Sequence, residues 1–391
     1  MADVGSGTVR GTMKLPLASI FVLKIAELCN LNCSYCYMYQ KGDTSYRTRP
    51  KFMSRDVAAP MLRRIAGYAQ RHSIGQITLA LHGGEPLLAG KEWILWFLQE
   101  ASRVGRTYDI SFQFAAQTNG ILVDLEWLKL LSDYEVALGI SCDGPREWHD
   151  RARPDFSGHG SYEAVRCAIE LVANHYNASW GVLTVANPEA SPSAVLQHFI
   201  DLGVRSIDFL WPEYHHDDPP PFPPGAMGTY FCELFDYWYN ELASPPQIRW
   251  FEDAMRLLLG GRSTSDCLGP HPIADIMVES DGAWEPLDTL RTCENGMTRT
   301  GFDAVHHDVE EIWKVPLYQI GLRNQELLSD KCITCSMHPV CGGGYLPHRY
   351  RRANGFANPS VYCEELLTVL THIRAQVLGD LRRVLPVSVC S

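Results

Sequence analysis

The sequence predicts an α/β protein built on a partial (βα)6 TIM-like barrel and followed by a smaller cysteine-rich domain. Six apolar, β-branched-rich runs recur at 19–27, 76–82, 108–117, 136–142, 178–186 and 205–211. A helix-like amphipathic stretch follows each run, so successive strands lie parallel. No glycine-rich dinucleotide fingerprint follows the first run, which favours a barrel over a Rossmann sheet.

Helices between the strands are expected at 55–71 behind Ser54, and at 125–133, 161–173 and 192–202. The stretch 213–225, loaded with prolines, His215, His216 and two aspartates, leaves the barrel as an irregular loop. Helical patterns cover 226–242 and 247–260. A hairpin is expected over 274–280 and 283–287, with Asp281-Gly282 as its turn, and a closing helix over 364–384. The organisation is thus an extension 1–18, a barrel 19–225, a helical linker 226–266 and a cysteine-rich domain 267–391.

Hydrophobic residues make up 46% of the 391 and charged ones 20%, the composition of a folded chain. Acidic residues (45) exceed basic ones (34), giving a net charge of -11 without a basic run, which argues against nucleic acid as a partner. Residues 1–15 lack a long apolar stretch, and no segment nears the roughly 20 apolar residues that span a bilayer. A cytoplasmic protein with no membrane partner is expected. Thirteen cysteines in a reducing compartment, an odd number, point to metal or cluster ligation rather than disulfides.

Directly after the first strand stands Cys29-Asn-Leu-Asn-Cys33-Ser-Tyr35-Cys36. A structural zinc ion takes four protein ligands, whereas three thiolates on a [4Fe–4S] cluster leave one iron open. Buried or zinc-bound cysteines are the alternative. Later strand ends carry Gly83-Gly84-Glu85-Pro86, Gln117-Thr118-Asn119-Gly120 and Ser141-Cys142-Asp143-Gly144-Pro145, then Asn187, and Trp211 or Glu213. Active sites of such barrels form at these ends; turn, loop and core roles are the alternative for each. Near the other end, Cys332-x2-Cys335-x5-Cys341 and Cys363 supply four thiols, enough for a cluster or for zinc.

The first motif, C-x3-C-x-aromatic-C on the loop after strand one, resembles the signature of the radical S-adenosylmethionine (radical SAM) superfamily. The resemblance implies that Cys29, Cys33 and Cys36 hold a [4Fe–4S] cluster, that SAM chelates its open iron, and that Tyr35 lies near the adenine. Gly83, Gly84, Glu85 and Pro86 look like the GGEP motif that contacts the methionyl amino group, and Asn119, Ser141 and Asn187 complete the expected cofactor pocket. The later cysteines resemble the SPASM extension, in which Cys332, Cys335, Cys341 and Cys363 would hold an auxiliary [4Fe–4S] cluster. Two positions depart from the full pattern: Tyr345 replaces the fourth cysteine of C-x2-C-x5-C-x3-C, and the G-x4-C motif from Gly282 reaches Leu287. A first auxiliary cluster is therefore in question, and Cys267 and Cys293 read as ordinary thiols off the expected spacing, alongside Cys142, Cys167, Cys232 and Cys390.

The runs 341–350 and 355–363, with Glu279-Ser-Asp281-Gly282 and Asp288, resemble cyclophane-forming peptide maturases. These join an aromatic ring carbon to the β-carbon of a residue two positions later in a ribosomally made precursor. The resemblance implies a 5′-deoxyadenosyl radical that takes a β-hydrogen, an auxiliary cluster that takes the next electron, and Asp143 or His348 as proton acceptor. The implied partners are a precursor peptide and a low-potential donor such as a flavodoxin or ferredoxin. Alternatives are thioether formation, epimerisation or sulfatase-type Cys/Ser oxidation by the same superfamily, and a non-catalytic zinc scaffold. Taken alone, His348-Arg349-Tyr350 reads as a surface cation–π trio.

Overall fold

Six parallel strands stand side by side in chain order: β1 (Ile20–Ala26), β2 (Gln76–Gly83), β3 (Ser111–Thr118), β4 (Ala137–Ser141), β5 (Trp180–Val185) and β6 (Ser206–Leu210). The computed structural model describes residues 16–263 and 265–384; the extension up to Leu15 and Cys390 lie outside them. β1 shows the alternation behind the strand assignments, with Phe21, Leu23 and Ile25 fully buried. β3 begins three residues later than the sequence suggests, because Tyr108 closes a helix and Asp109 then adopts a left-handed conformation (φ 57°).

The helices are α1 (Arg55–Arg71), α2 (Lys91–Tyr108), α3 (Leu125–Ser132), α4 (Arg146–Ala152), α5 (Tyr162–His175), α6 (Pro192–Asp201), α7 (Ala226–Asp236), α8 (Arg249–Leu258), α9 (Pro316–Leu322), α10 (Asp330–Ile333), α11 (His338–Cys341) and α12 (Cys363–Val384). Ser54, Asp124 and Ser191 each accept a backbone N–H of the first turn they precede, which fixes the starts of α1, α3 and α6. Segment 213–225 carries no helix or strand, as expected from its prolines. Among the described residues no helix is long and apolar enough to cross a membrane.

The expected hairpin forms from β8 (Ile276–Val278) and β9 (Trp284–Glu285), with Gly282 at φ 88°. It does not stand apart from the barrel. β8 pairs parallel with β1 in the register Phe21↔Ile276 and Leu23↔Val278, and β7 (Gln247–Ile248) extends the other edge, giving one sheet ordered β7-β6-β5-β4-β3-β2-β1-β8-β9. Ile276, Met277 and Val278 are all buried, and a strand apolar on both faces needs cover on both.

A buried ion network secures this junction. Arg49 donates to Glu279 at 2.7 Å and contacts Glu285, while the fully buried Arg291 donates to Glu279 at 2.6 Å. Burial and Glu279 push the Glu27 carboxyl up to about 8, so this neighbour is protonated near neutral pH. Arg291→Met is expected to lower stability by about 3–5 kcal/mol, because a buried carboxylate loses its partner. Thermal unfolding followed by circular dichroism checks this, and an unchanged midpoint would contradict it.

Candidate active site

The C-terminal ends of the strands open on one cavity of about 290 Å³. Cys29, Cys33, Tyr35 and Cys36 reach it from the β1 loop, Gly83 and Gly84 from β2, Asn119 from β3 and Ser141 from β4. Trp211 and Glu213 reach it from the segment after β6, and Cys267, Thr289, Tyr345 and His348 from the C-terminal part of the chain. Glu85, Pro86, Asp143 and Asn187, expected beside a cofactor, do not line it.

Backbone bonds hold the thiol loop on both sides. Asn32 and Ser34 donate to the carbonyls of Pro154 and Ala152, while Gly84 and Glu85 donate to Ala26 and Leu28, each at 2.8–2.9 Å. The β1 and β2 loops approach so closely that a Cβ on Gly84 would stand 2.3 Å from the Leu28 carbonyl oxygen. Asn119 lies beside Cys29: its Nδ2 donates to Asn30 Oδ1 at 2.7 Å and stands 3.7 Å from the Cys29 sulfur. Ser141 Oγ accepts from Gln117 Nε2 at 2.8 Å.

Two acidic residues prove to be fasteners. The Glu85 carboxylate is fully buried and accepts from Leu87 N–H, Thr118 Oγ1 and Asn119 N–H, tying the end of β2 to that of β3. Asp143, expected as a proton acceptor, accepts from Tyr35 OH, from Arg153 Nε at 2.9 Å and from Val185 N–H at 3.2 Å. With both oxygens engaged, it clamps Tyr35 rather than presenting a free base. Arg153 carried no signal in the sequence; it also covers the Tyr35 ring at 5.5 Å. Asn187 turns its Oδ1 onto the N–H of Glu189 and so caps a local turn.

His348 is placed differently. Its Nε2 stands 3.5 Å from Glu213 Oε2, and both atoms are buried without a hydrogen-bond partner, as is Trp211 Nε1 in the same cavity. Tyr345 and Tyr362 meet the imidazole edge-on, with ring centroids 5.2 and 5.1 Å away. Arg349 is no surface residue: it is fully buried and donates to the carbonyls of Phe356 and Leu327 and to Asn324.

The later thiols form a second site. Cys332, Cys335, Cys341 and Cys363 surround a cavity of about 50 Å³ that Met337, Leu367 and Leu370 also line. Four sulfurs on a single zinc ion would meet within about 2.3 Å of one point. Four thiols on one cavity are also the donor set of a four-cysteine iron–sulfur cluster. Gly342, Gly343 and Gly344 follow Cys341 with φ of 63°, 93° and 73°, and a Cβ on Gly342 would lie 2.0 Å from the Gly269 carbonyl oxygen.

Both donor sets therefore fit iron–sulfur clusters: three half-buried thiols beside a roomy cavity, with space for SAM at the open iron, and four thiols around a smaller one. Burial pushes Cys29 and Cys341 up to about 12 and Cys33 to about 11, so iron bound there would have to displace their protons. Gly84→Ala is expected to abolish 5′-deoxyadenosine release, as is alanine at Cys29, Cys33 or Cys36. Chromatography of SAM reaction mixtures measures this, and release by any cysteine variant would remove the cofactor assignment.

The Radical SAM superfamily profile matches residues 23–189. The chain is 25% identical over 360 residues to a cysteine-type anaerobic sulfatase-maturating enzyme of Clostridium novyi, covering 88% of this chain and 92% of that one. It is 26% identical over 365 residues to another from Clostridium perfringens, covering 90% and 94%. The fold matches that of native anSMEcpe with bound AdoMet and Cp18Cys peptide, with a TM-score of 0.79 at 23% identity over 95% of this chain and 100% of that one. With its thiol loop at the mouth of the matched barrel and its cysteine-bearing extension folded against it, this chain carries a Radical SAM superfamily barrel over residues 23–189 within the fold that anSMEcpe has.

Proposed function

We propose that this enzyme oxidises a cysteine or serine side chain in a peptide or unfolded protein segment by removing two hydrogens. Similarity to cysteine-type sulfatase-maturating enzymes over 90% of the chain supports this reading. The observation that carries it is one cavity of about 290 Å³ shared by three thiols and by the unpartnered Glu213 and His348, with room for the reactive end of a cofactor and a substrate side chain.

When bound, a [4Fe–4S] cluster with SAM at Cys29, Cys33 and Cys36 supplies the hydrogen-abstracting radical, and a cluster at Cys332, Cys335, Cys341 and Cys363 supplies a one-electron acceptor. A low-potential flavodoxin or ferredoxin is the matching electron donor. Asn119 and Asn30 flank Cys29 and orient what binds there, while the Asp143–Arg153 pair fixes Tyr35. Apolar walls from Leu183, Val185 and Leu210 exclude water. His348 takes the proton that the substrate releases on oxidation, and Glu213, 3.5 Å away, holds the imidazole and meets the charge it gains.

A second reading, a bond between an aromatic ring carbon and a β-carbon in a ribosomally made precursor, is favoured by segment 341–363. That segment carries the cyclophane-type motifs and contributes Tyr345 and His348 to the cavity. Both reactions remove two hydrogens, so the position of the change decides between them. Anaerobic incubation with Cys- or Ser-bearing peptides is expected to give a product altered at one residue in tandem mass spectra. A segment resistant to fragmentation between an aromatic residue and its partner two positions later would identify the crosslink instead. His348→Gln is expected to retain SAM cleavage while lowering product per 5′-deoxyadenosine by about 100-fold; an unchanged ratio would exclude His348 as the acceptor.

A further inference from the structure

The SPASM pattern gives a first auxiliary cluster two ligands that this chain replaces, by Leu287 and Tyr345, and the structure shows what fills their place. Leu287 is buried in an apolar cluster with Ile273, Leu290 and Leu346, where the remaining space is about 10 Å³. A four-iron cluster does not fit there. Tyr345 shares a hydrogen bond of 2.7 Å with Thr289 Oγ1, and both residues face the main cavity.

The two remaining thiols in this region do not converge. Cys267 lines the main cavity and donates to Asp266 Oδ1 at 3.4 Å; burial and that neighbouring acid keep its thiol protonated. Cys293 belongs to the apolar cluster around Leu287 and points at the Pro347 carbonyl, 4.0 Å away. One thiol in a carboxylate's company and another behind an apolar layer do not make a cluster site.

We propose that this chain carries two iron–sulfur clusters and not three, and that Cys267, Thr289 and Tyr345 form a wall of the main cavity where a first auxiliary cluster would stand. The site of Cys332, Cys335, Cys341 and Cys363 is then the single auxiliary centre. The cavity gains a polar flank bearing a phenol, a hydroxyl and a protonated thiol beside Glu213 and His348. Such a flank suits hydrogen bonding to a polar substrate better than electron transfer to a nearby cluster.

The full chain, reconstituted with iron and sulfide without oxygen, is expected to hold about eight irons and eight acid-labile sulfides. Because loading varies between preparations, the ratio to wild type prepared in parallel decides. Cys267→Ser and Cys293→Ser should each keep a ratio of about 1, and a double Cys332 and Cys335→Ala variant about one-half, as should a triple Cys29, Cys33 and Cys36→Ala variant. A wild-type count of about twelve, or a fall to about two-thirds in Cys267→Ser with circular dichroism unchanged, would overturn the proposal. Retention of about two-thirds of the iron by a double Cys332 and Cys335→Ala variant would overturn it as well. Iron counts need no substrate, so they stand or fall independently of peptide turnover, which tests the proposed reaction.

Discussion

The parallel pairing of β8 with β1 is the constraint from which the site follows. Strands that run the same way end on the same side. The register Phe21↔Ile276 and Leu23↔Val278 therefore brings the end of β8 to the side on which β1 runs into the loop of Cys29, Cys33 and Cys36. An antiparallel docking would send the hairpin turn to the opposite end of the barrel. The network of Arg49 and Arg291 with Glu279 and Glu285 crosses this junction, and removing one member strands the others in a medium where unpaired charge is costly. Network and strand register thus reinforce each other.

Burial sorts the polar groups at the mouth into two kinds. Glu85 and Asp143 have their oxygens engaged by backbone and side-chain donors, so they join the ends of neighbouring strands and fix the loops. Glu213, His348 and Trp211 have polar atoms that are equally shielded but lack a partner. A buried polar atom without a hydrogen bond costs about 1–3 kcal/mol, a cost that a ligand of matching polarity removes. The three atoms share the cavity of the thiol loop, so binding and reaction meet in the same space. Proximity to the mouth alone does not separate the two kinds, since Asp143 belongs to the strand ends as much as Glu213 does.

Much of the architecture was legible because burial imposes short periods on the chain. The run 76–82 became β2 within one residue, and Ser54 before 55–71 marked α1 through its side-chain cap. The cysteine spacings were equally direct about grouping, since Cys29, Cys33 and Cys36 line one cavity and Cys332, Cys335, Cys341 and Cys363 another. What escaped was relational. Ile276-Met277-Val278 announces a buried strand, but nothing in three apolar residues says that its partner is β1, some 250 positions earlier. Asp143 looks like a base until Arg153 and Tyr35 are seen to occupy it, and Asn187 looks like a ligand contact until its own turn claims the side chain. Arg349, in a motif that looked exposed, owes its burial to carbonyls at Leu327 and Phe356, which local sequence does not reveal.

The two thiol sites also divide the work of the chain. Around Cys332, Cys335, Cys341 and Cys363 the walls are mostly apolar and the cavity small. Around Cys29, Cys33 and Cys36 the cavity is almost six times larger, about 290 against 50 Å³, and bordered by amide, hydroxyl and aromatic groups. Burial raises the Cys29 thiol at one site and the Cys341 thiol at the other, so a metal bound at either would have to displace a proton from surroundings that disfavour bare thiolate charge. The difference lies in what else can enter. The smaller site holds little beyond its four thiols and their apolar neighbours, while the larger one also brings Asn119, Ser141, Glu213 and His348 to the thiols, on loops that backbone hydrogen bonds fix at the barrel mouth.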